Sequence, residues 1–207
     1  MGIRGVLWIA VVLIQAAGAL APAQSIHAED LGTGVFLVAS KDLGDPNFAE
    51  TVVLLVKYDE DAVVGLIVNR PTKVPLSRIF ESLKLGKGRA DPVYSGGPVG
   101  RTGAFALMRS GSRIEGAERV VGDVYFIAGK APLEKALMGG NNPATLRVYL
   151  GYAGWTGPQL DHEVDIGGWY IFRGDPAQVF DADPESLWSR LIRKTEQAVA
   201  MNQAGRH

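Results

Sequence analysis

The sequence contains no cysteine, and this absence excludes disulfide bonds, thiolate metal ligands and thiol nucleophiles. Histidine is scarce, because only His27, His162 and His207 occur, which leaves few candidates for a general base. No charge of one sign predominates, since 21 basic and 22 acidic residues give a net charge of −1. Because sequence-independent nucleic-acid binding requires a basic surface, the composition predicts no direct nucleic-acid partner.

A long apolar run occurs only at the N-terminus. Arg4 precedes the apolar residues 6–14, and small residues then lead to Ala-Pro-Ala at positions 21–23. This pattern predicts a secretory signal peptide over residues 1–23, followed by a short leader over 24–30, and the run is short for a membrane span. We therefore expect a periplasmic or exported protein whose mature chain has no membrane span. The alternatives are an uncleaved anchor, or a misassigned start on a cytoplasmic protein.

The rest of the chain is predicted to form one α+β domain over residues 31–195, with a fraying C-terminal tail over 196–207. Apolar segments rich in Val, Ile, Phe and Tyr alternate with turn residues, as is typical of strands. Several segments are apolar almost throughout, which indicates strands covered on both faces. Regular strand–helix alternation is lacking, which argues against a doubly wound sheet. The predicted strands are residues 34–40, 51–58, 63–70, 92–96, 104–109, 123–128, 145–151 and 169–173.

Local signals predict one hairpin and three helices. Four residues at 59–62 connect the second and third strands, a spacing that favours an antiparallel hairpin. The spacing of apolar residues predicts helices over 75–85, 132–138 and 184–201. Asp183 is the expected N-cap of the last helix, with proline at its first position.

One candidate for ligand binding is the end of the apolar segment 65–71, where Asn69 and Arg70 precede a proline. A guanidinium presents a planar set of donors that suits a carboxylate or a phosphate. The alternative is an internal ion pair from Arg70 to an acid such as Asp161 or Glu163, with Asn69 capping the turn.

Two further turns contain glycine or proline. Gly96 and Gly97 could leave backbone N–H groups open for an anion, although they lack the lysine of a phosphate-binding loop. A close crossing of two backbone segments explains the same glycines equally well. The turn over residues 45–48, Asp-Pro-Asn-Phe, is interpreted as structural, with Phe48 anchoring it to the core.

The segment over residues 151–155, Gly-Tyr-Ala-Gly-Trp, is the richest of the candidate turns. Its small residues allow a sharp bend, and Tyr152 and Trp155 each combine an aromatic ring with a polar group. These properties suit the wall of a pocket, and they suit a packing corner almost equally well.

Catalytic and metal sites receive little support from the sequence. Ser95 and His162 could belong to a hydrolytic triad, but Ser95 lacks the G-x-S-x-G elbow that exposes a nucleophile. His162 lies among Asp161, Glu163 and Asp165, an arrangement that suits a solvated surface better than a closed metal site. We therefore assign no catalytic residue, no metal ligand and no cofactor.

Taken together, these turns resemble the YqgE/AlgH family of bacterial proteins. The resemblance implies a single α+β domain whose bent, mixed and mostly antiparallel sheet forms a pseudo-barrel flanked by a few helices. It implies no reaction. The family carries the label of transcriptional regulator, but it has no recognisable DNA-binding module, and this sequence contains no helix-turn-helix pattern. The matching pieces are residues 45–48 with the strand 52–56, then 65–71, 96–99, 151–155, and Gln159-Leu160 with Glu163.

The combined prediction is a non-catalytic binding or regulatory module with a cleft for a small anion, a peptide or a protein partner. The alternatives are a hydrolase that uses Ser95 and His162, and a transcriptional regulator that acts through protein partners. The cleft is predicted to be lined by Asn69, Arg70, Gly96, Gly97, Tyr152 and Trp155.

Overall fold

A computed structural model describes residues 30–59, 61–81 and 89–204 of the chain. The predicted signal peptide lies outside these residues. The strands are β1 (Val35–Ala39), β2 (Val52–Tyr58), β3 (Val63–Ile67), β4 (Pro71–Pro75), β5 (Pro92–Ser95), β6 (Val99–Arg109), β7 (Glu118–Val121), β8 (Val124–Ile127), β9 (Leu146–Trp155) and β10 (Trp169–Arg173). The helices are α1 (Leu76–Ile79), α2 (Lys130–Met138), α3 (Gly157–Asp165), α4 (Pro176–Val179) and α5 (Leu187–Ala204).

The ten strands form one mixed sheet that is mostly antiparallel. Its main path runs β10-β1-β2-β3-β9-β6-β8-β7, and every neighbouring pair on this path is antiparallel. Strand β5 is parallel to β9 and antiparallel to β4. The predicted hairpin is formed by β2 and β3. This architecture confirms the predicted α+β fold.

The sheet curls because the long strand β9 pairs with different strands along its length. The first part of β9 pairs with β6, whereas its last three residues pair with β3. Gly151, with φ of 70°, lies where β9 passes between these partners. The curl brings β7 against the start of β1, where a Cβ atom on Gly34 would lie 2.6 Å from the Val120 carbonyl oxygen. The result is a partly closed barrel.

Strand β2 shows why several segments are apolar throughout. Val52, Leu54 and Val56 point into a core that also contains residues of α5. Val53 and Leu55 alternate with them and pack on the opposite face, in a core that contains residues of α3. A third core lies between α2 and strands β5, β6 and β9. Because both faces of β2 are covered, its buried residues 52–56 are all apolar.

Some element boundaries differ from the prediction for local reasons. Strands β4 and β7 were not predicted, since β4 begins and ends with proline and β7 has two exposed residues. Helix α3 was also missed, although the Thr156 hydroxyl accepts a hydrogen bond from the Gln159 N–H at its start. The predicted N-cap Asp183 is wrong, because α5 begins at Leu187. Part of the helix predicted over 75–85 falls outside the described residues.

Candidate functional site

Asn69 holds the loop that precedes β2. Its side chain is 5% exposed, accepts a hydrogen bond from the Val52 N–H at 2.8 Å, and donates one to the Glu50 carbonyl oxygen at 2.9 Å. Glu50 has φ of 56° and is the only non-glycine residue with positive φ in the part of the chain that the structure describes. Asn69 therefore stabilises a left-handed backbone conformation that a residue with a Cβ atom rarely adopts.

Arg70 binds the same loop. Its guanidinium donates to the carbonyl oxygens of Asn47 and Ala49, the latter at 2.7 Å. These bonds replace the ion pair to Asp161 or Glu163 that was considered from the sequence. Partial burial lowers the pKa of Arg70, while the nearby Glu50 carboxylate opposes this shift. The 45–48 and 65–71 motifs are thus two halves of one local structure.

Gly96 and Gly97 lie where the chain crosses β9 at very short range. A Cβ atom on Gly97 would lie 2.1 Å from the Tyr152 carbonyl carbon, and one on Gly96 would lie 2.3 Å from the Gly151 carbonyl oxygen. The N–H of Gly96 already donates to the Leu150 carbonyl at 2.9 Å. Close backbone packing therefore explains this pair of glycines, and the Gly96 N–H is engaged within the fold.

Tyr152 and Trp155 lie on opposite faces of β9. The Tyr152 ring packs edge-on against Phe105, with centroids 5.8 Å apart, beside the core that contains α5 residues. Trp155 stacks on Phe48 at 5.4 Å in the core beneath α3. Since side chains alternate along a strand, residues three positions apart face opposite sides. The two rings therefore do not line one cleft.

Glu163 on α3 connects the motif of Gln159, Leu160 and Glu163 to two neighbouring tryptophans. Its carboxylate accepts hydrogen bonds from the indole N–H groups of Trp155 at 3.1 Å and Trp169 at 2.9 Å. The Gln159 side-chain amide donates to it as well, at 3.1 Å. These bonds attach α3 to β9 and β10, so the spacing of Trp155, Gln159 and Glu163 has a structural explanation.

Of the six residues predicted to line a cleft, only Asn69 and Arg70 line a common hollow of about 460 Å³. Gly96, Gly97 and Tyr152 pack against one another beside it, and Trp155 is directed to the other face of the sheet. We call this space the acidic hollow. It is lined by Ala49, Glu50, Asn69, Arg70, Pro71, Thr72, Ser95 and Glu185.

The two carboxylates of the acidic hollow, Glu50 and Glu185, were not predicted from the sequence. Both are exposed, and neither belongs to a pattern that indicates a ligand. Their formal charges exceed the single positive charge of Arg70, whose guanidinium already bonds two carbonyl groups. Thr72 is also engaged, because its hydroxyl donates to the Val93 carbonyl at 2.8 Å. The hollow therefore presents a net negative charge and one hydroxyl, that of Ser95, to a ligand.

The structure does not join the residues of the considered triad. Ser95 lines the acidic hollow, whereas His162 is exposed on α3 and does not line it. No hydrogen bond links these two side chains, both of which belong to the described residues. Within residues 30–59, 61–81 and 89–204, no group of three or more His, Asp or Glu side chains could hold a metal ion.

None of the helices in those same ranges combines the length and the apolar character needed to cross a membrane.

Known proteins of similar sequence cover most of this chain. A UPF0301 protein of Streptomyces avermitilis is 38% identical over 178 residues, which cover 82% of this chain and 89% of that protein. The UPF0301 protein AlgH of Pseudomonas aeruginosa is 36% identical over 166 residues, covering 74% and 83% of the two chains.

Solved structures give the same result. The solution structure of Pseudomonas aeruginosa AlgH has a TM-score of 0.63 at 33% identity, and the match covers 83% of this chain and 89% of that one. A crystal structure from Corynebacterium diphtheriae has a TM-score of 0.65 at 20% identity, covering 80% and 87%, and supports the fold alone. The family model described as AlgH-like matches residues 36–200. The resemblance inferred from the sequence motifs is thus confirmed, and the chain belongs to the AlgH-like family.

Proposed function

We propose that this protein is a non-catalytic binding module, that its site is the acidic hollow, and that its ligand presents a cationic group. The lysine or arginine side chain of a protein partner has this chemistry. The observation that carries the proposal is the left-handed conformation of Glu50, which is maintained by a buried asparagine and sets a carboxylate at the hollow.

The charges of the hollow favour a cation over the small anion considered from the sequence. Glu50 and Glu185 contribute two carboxylates, while the Arg70 guanidinium donates hydrogen bonds to the carbonyl oxygens of Asn47 and Ala49. A guanidinium or ammonium group could bond both carboxylates and the Ser95 hydroxyl. Because both carboxylates are exposed, each contributes only a modest free energy, and weak, salt-dependent binding is expected.

Backbone strain supports a role for Glu50 in binding. A left-handed conformation costs a residue with a Cβ atom about 1–2 kcal/mol, and glycine would avoid this cost. Such strain is concentrated at functional sites, where the side chain's position has a use. The hydrogen bond to Asn69 does not require a glutamate here, because it is the backbone carbonyl that bonds Asn69, and the exposed carboxylate interacts with Arg70 only through space.

Glu50→Gly is the decisive variant. We expect it to raise the free energy of unfolding by about 1 kcal/mol, because the strain is relieved. The same variant should bind the blocked peptide acetyl-Gly-Arg-Gly-amide about two- to five-fold more weakly, because one of two exposed carboxylates is lost. Urea denaturation measures the stability, and the amide chemical shifts of Thr72 and Ser95 during an NMR titration measure the binding.

Two further variants separate charge from backbone effects. Glu50→Gln keeps the strained backbone and should weaken binding without the gain in stability. Glu134→Gln removes a carboxylate that lies at a different hollow and should leave both measurements unchanged. If Glu50→Gly and Glu50→Gln both bind the arginine peptide as tightly as the natural chain does, the proposed site is wrong.

Export of the protein stays a prediction, and it also bears on the regulatory alternative. Residues 1–30, fused to a phosphatase that is active only outside the cytoplasm, are expected to produce phosphatase activity. Replacing the apolar residues 11–14 by charged residues should abolish this activity, because it interrupts the apolar segment. A silent fusion would instead favour a cytoplasmic protein, in which a regulatory partner of the transcription apparatus becomes accessible.

A further inference from the structure

Arg147 on β9 is the only charged side chain among the buried residues of the described ranges, with 5% of its surface exposed. Its guanidinium donates to the Val179 carbonyl oxygen at 3.0 Å and to the Asp181 carbonyl oxygen. A longer contact of 3.4 Å joins its Nε to the Pro143 carbonyl oxygen. All three partners are neutral backbone groups, so no carboxylate bonds this cation.

The surroundings of Arg147 leave its charge incompletely balanced. The carboxylate of Asp181, whose backbone carbonyl bonds Arg147, is itself hydrogen-bonded to Arg190 at 2.6 Å, so Arg147 interacts with this carboxylate only through space. The guanidinium carbon of Arg147 lies 5.0 Å from the centre of the Tyr94 ring and 5.6 Å from that of Phe180. Aromatic faces stabilise a cation, but much less than a bonded carboxylate does. Buried charges are normally paired, so this arrangement is unusual.

A buried polar group that has no hydrogen-bond partner lies close by. The hydroxyl of Tyr149 is fully buried and makes no hydrogen bond among the described residues. Its ring packs against Tyr94, with centroids 5.3 Å apart. Burial raises the pKa of the Tyr149 hydroxyl, and the positive charge of Arg147 opposes this shift. The phenol is therefore neutral at physiological pH.

Arg147 lines a hollow of about 490 Å³ whose other walls are largely apolar. We call it the proline hollow, because four prolines line it together with Tyr94 and Phe180. It shares a wall, Pro71 and Glu185, with the acidic hollow, but it contains the buried cation. The four prolines are Pro71, Pro92, Pro143 and Pro184.

We propose that the proline hollow binds a carboxylate with an apolar body, and that Arg147 takes the carboxylate. Its guanidinium has five N–H groups, of which three are used by backbone carbonyls, so two remain for an anion. A planar guanidinium suits a carboxylate, and the prolines and rings suit an apolar chain or side chain. Both the C-terminus of a peptide and a free organic acid have this chemistry.

Asp183 and Glu185 also line the proline hollow and oppose an anion. Both are exposed, so water and salt screen them, whereas Arg147 acts from the interior, where charges interact more strongly. Removing either acid should therefore strengthen carboxylate binding. For Glu185 this is opposite to the effect expected at the acidic hollow, where its loss weakens binding of the arginine peptide.

The first experiment compares neutral and charged forms of the same probe with the natural chain. Hexanoate and hexanamide represent a free organic acid, and acetyl-Ala-Pro-Leu with a free or an amidated C-terminus represents a peptide. We expect the charged member of at least one pair to bind about ten-fold more tightly, with NMR shifts at residues 143–147 and 179–184. The pair that shows the preference identifies the source of the carboxylate. Equal binding of acid and amide in both pairs would overturn the proposal.

The second experiment uses variants. Asp183→Asn should strengthen carboxylate binding about two- to five-fold, a typical range for one exposed charge. Arg147→Lys should weaken carboxylate binding. If that variant does not fold, the effect of Asp183→Asn on carboxylate binding tests the proposal. Glu134→Gln serves as the control of equal charge change elsewhere. Glu185→Gln must strengthen binding of the carboxylate probe that shows the preference, while it weakens binding of the arginine peptide. If only the arginine peptide binds the variant as it binds the natural chain, the site proposed at the acidic hollow is wrong. If only carboxylate binding stays unchanged, the site proposed at the proline hollow is wrong.

Discussion

Gly97→Ala is expected to destabilise the protein by at least about 3 kcal/mol, and so to remove much of the stability of an ordinary domain. The added Cβ atom would lie 2.1 Å from the Tyr152 carbonyl carbon and 2.4 Å from the Ala153 nitrogen. Both are backbone atoms of β9, so no side-chain rotation relieves the overlap. The segment after β5 would have to move away from β9. Urea denaturation followed by circular dichroism measures the loss.

Gly44→Ala is the matched control for this change. Gly44 lies in an exposed loop, and a Cβ atom there would meet no other atom within 4 Å. Its free energy of unfolding should stay within about 0.5 kcal/mol of the natural value, as is usual for a surface substitution. If both variants were equally stable, the tight crossing of Gly97 and β9 would not exist in solution.

Asn69→Ala is expected to cost about 3 kcal/mol, because it leaves the Val52 N–H and the Glu50 carbonyl without their partners. Val52 is fully buried, so water cannot replace the lost bond to its N–H group. The left-handed conformation of Glu50 also loses its support. The measurements are urea denaturation and amide hydrogen exchange of Val52, whose exchange should accelerate together with the loss of stability.

Asn47→Ala is the corresponding control, since Asn47 is exposed and its backbone carbonyl, not its side chain, bonds Arg70. Its stability should change by no more than about 0.5 kcal/mol. Asn69→Asp should lie between the two, because it keeps the acceptor for Val52 but sets a carboxylate oxygen against the Glu50 carbonyl. Equal stability of Asn69→Ala and Asn47→Ala would show that the loop does not depend on Asn69.

The fold was largely predictable because its signals are local. The apolar segments of β2 and β3 predicted strands covered on both faces, and the four residues between them predicted a hairpin. Strand β4 escaped prediction because its two terminal prolines resemble a turn. The start of α5 was misplaced since Asp183 and Pro184 look like a helix start, although the helix begins at Leu187.

The candidate site was predictable only in part. Asn69 and Arg70 were identified from their position at the end of an apolar strand, but their partners lie about twenty residues away in the sequence and could not be inferred. Glu50 carries no sequence signal, because its distinguishing property is a backbone angle. Arg147 likewise stands in an apolar strand, where nothing shows that its partners come from residues 179 and 181.

The sequence by itself determined the class of fold, the family and the positions of the conspicuous turns, because hydrophobic periodicity, glycine and proline act over a few neighbouring residues. Only the tertiary structure decided which polar groups are engaged within the fold and which remain for a ligand. That distinction depends on hydrogen bonds between residues far apart in the chain. Arg70 is bound to the loop before β2 in this way, while Glu50, Glu185 and Arg147 come to line hollows.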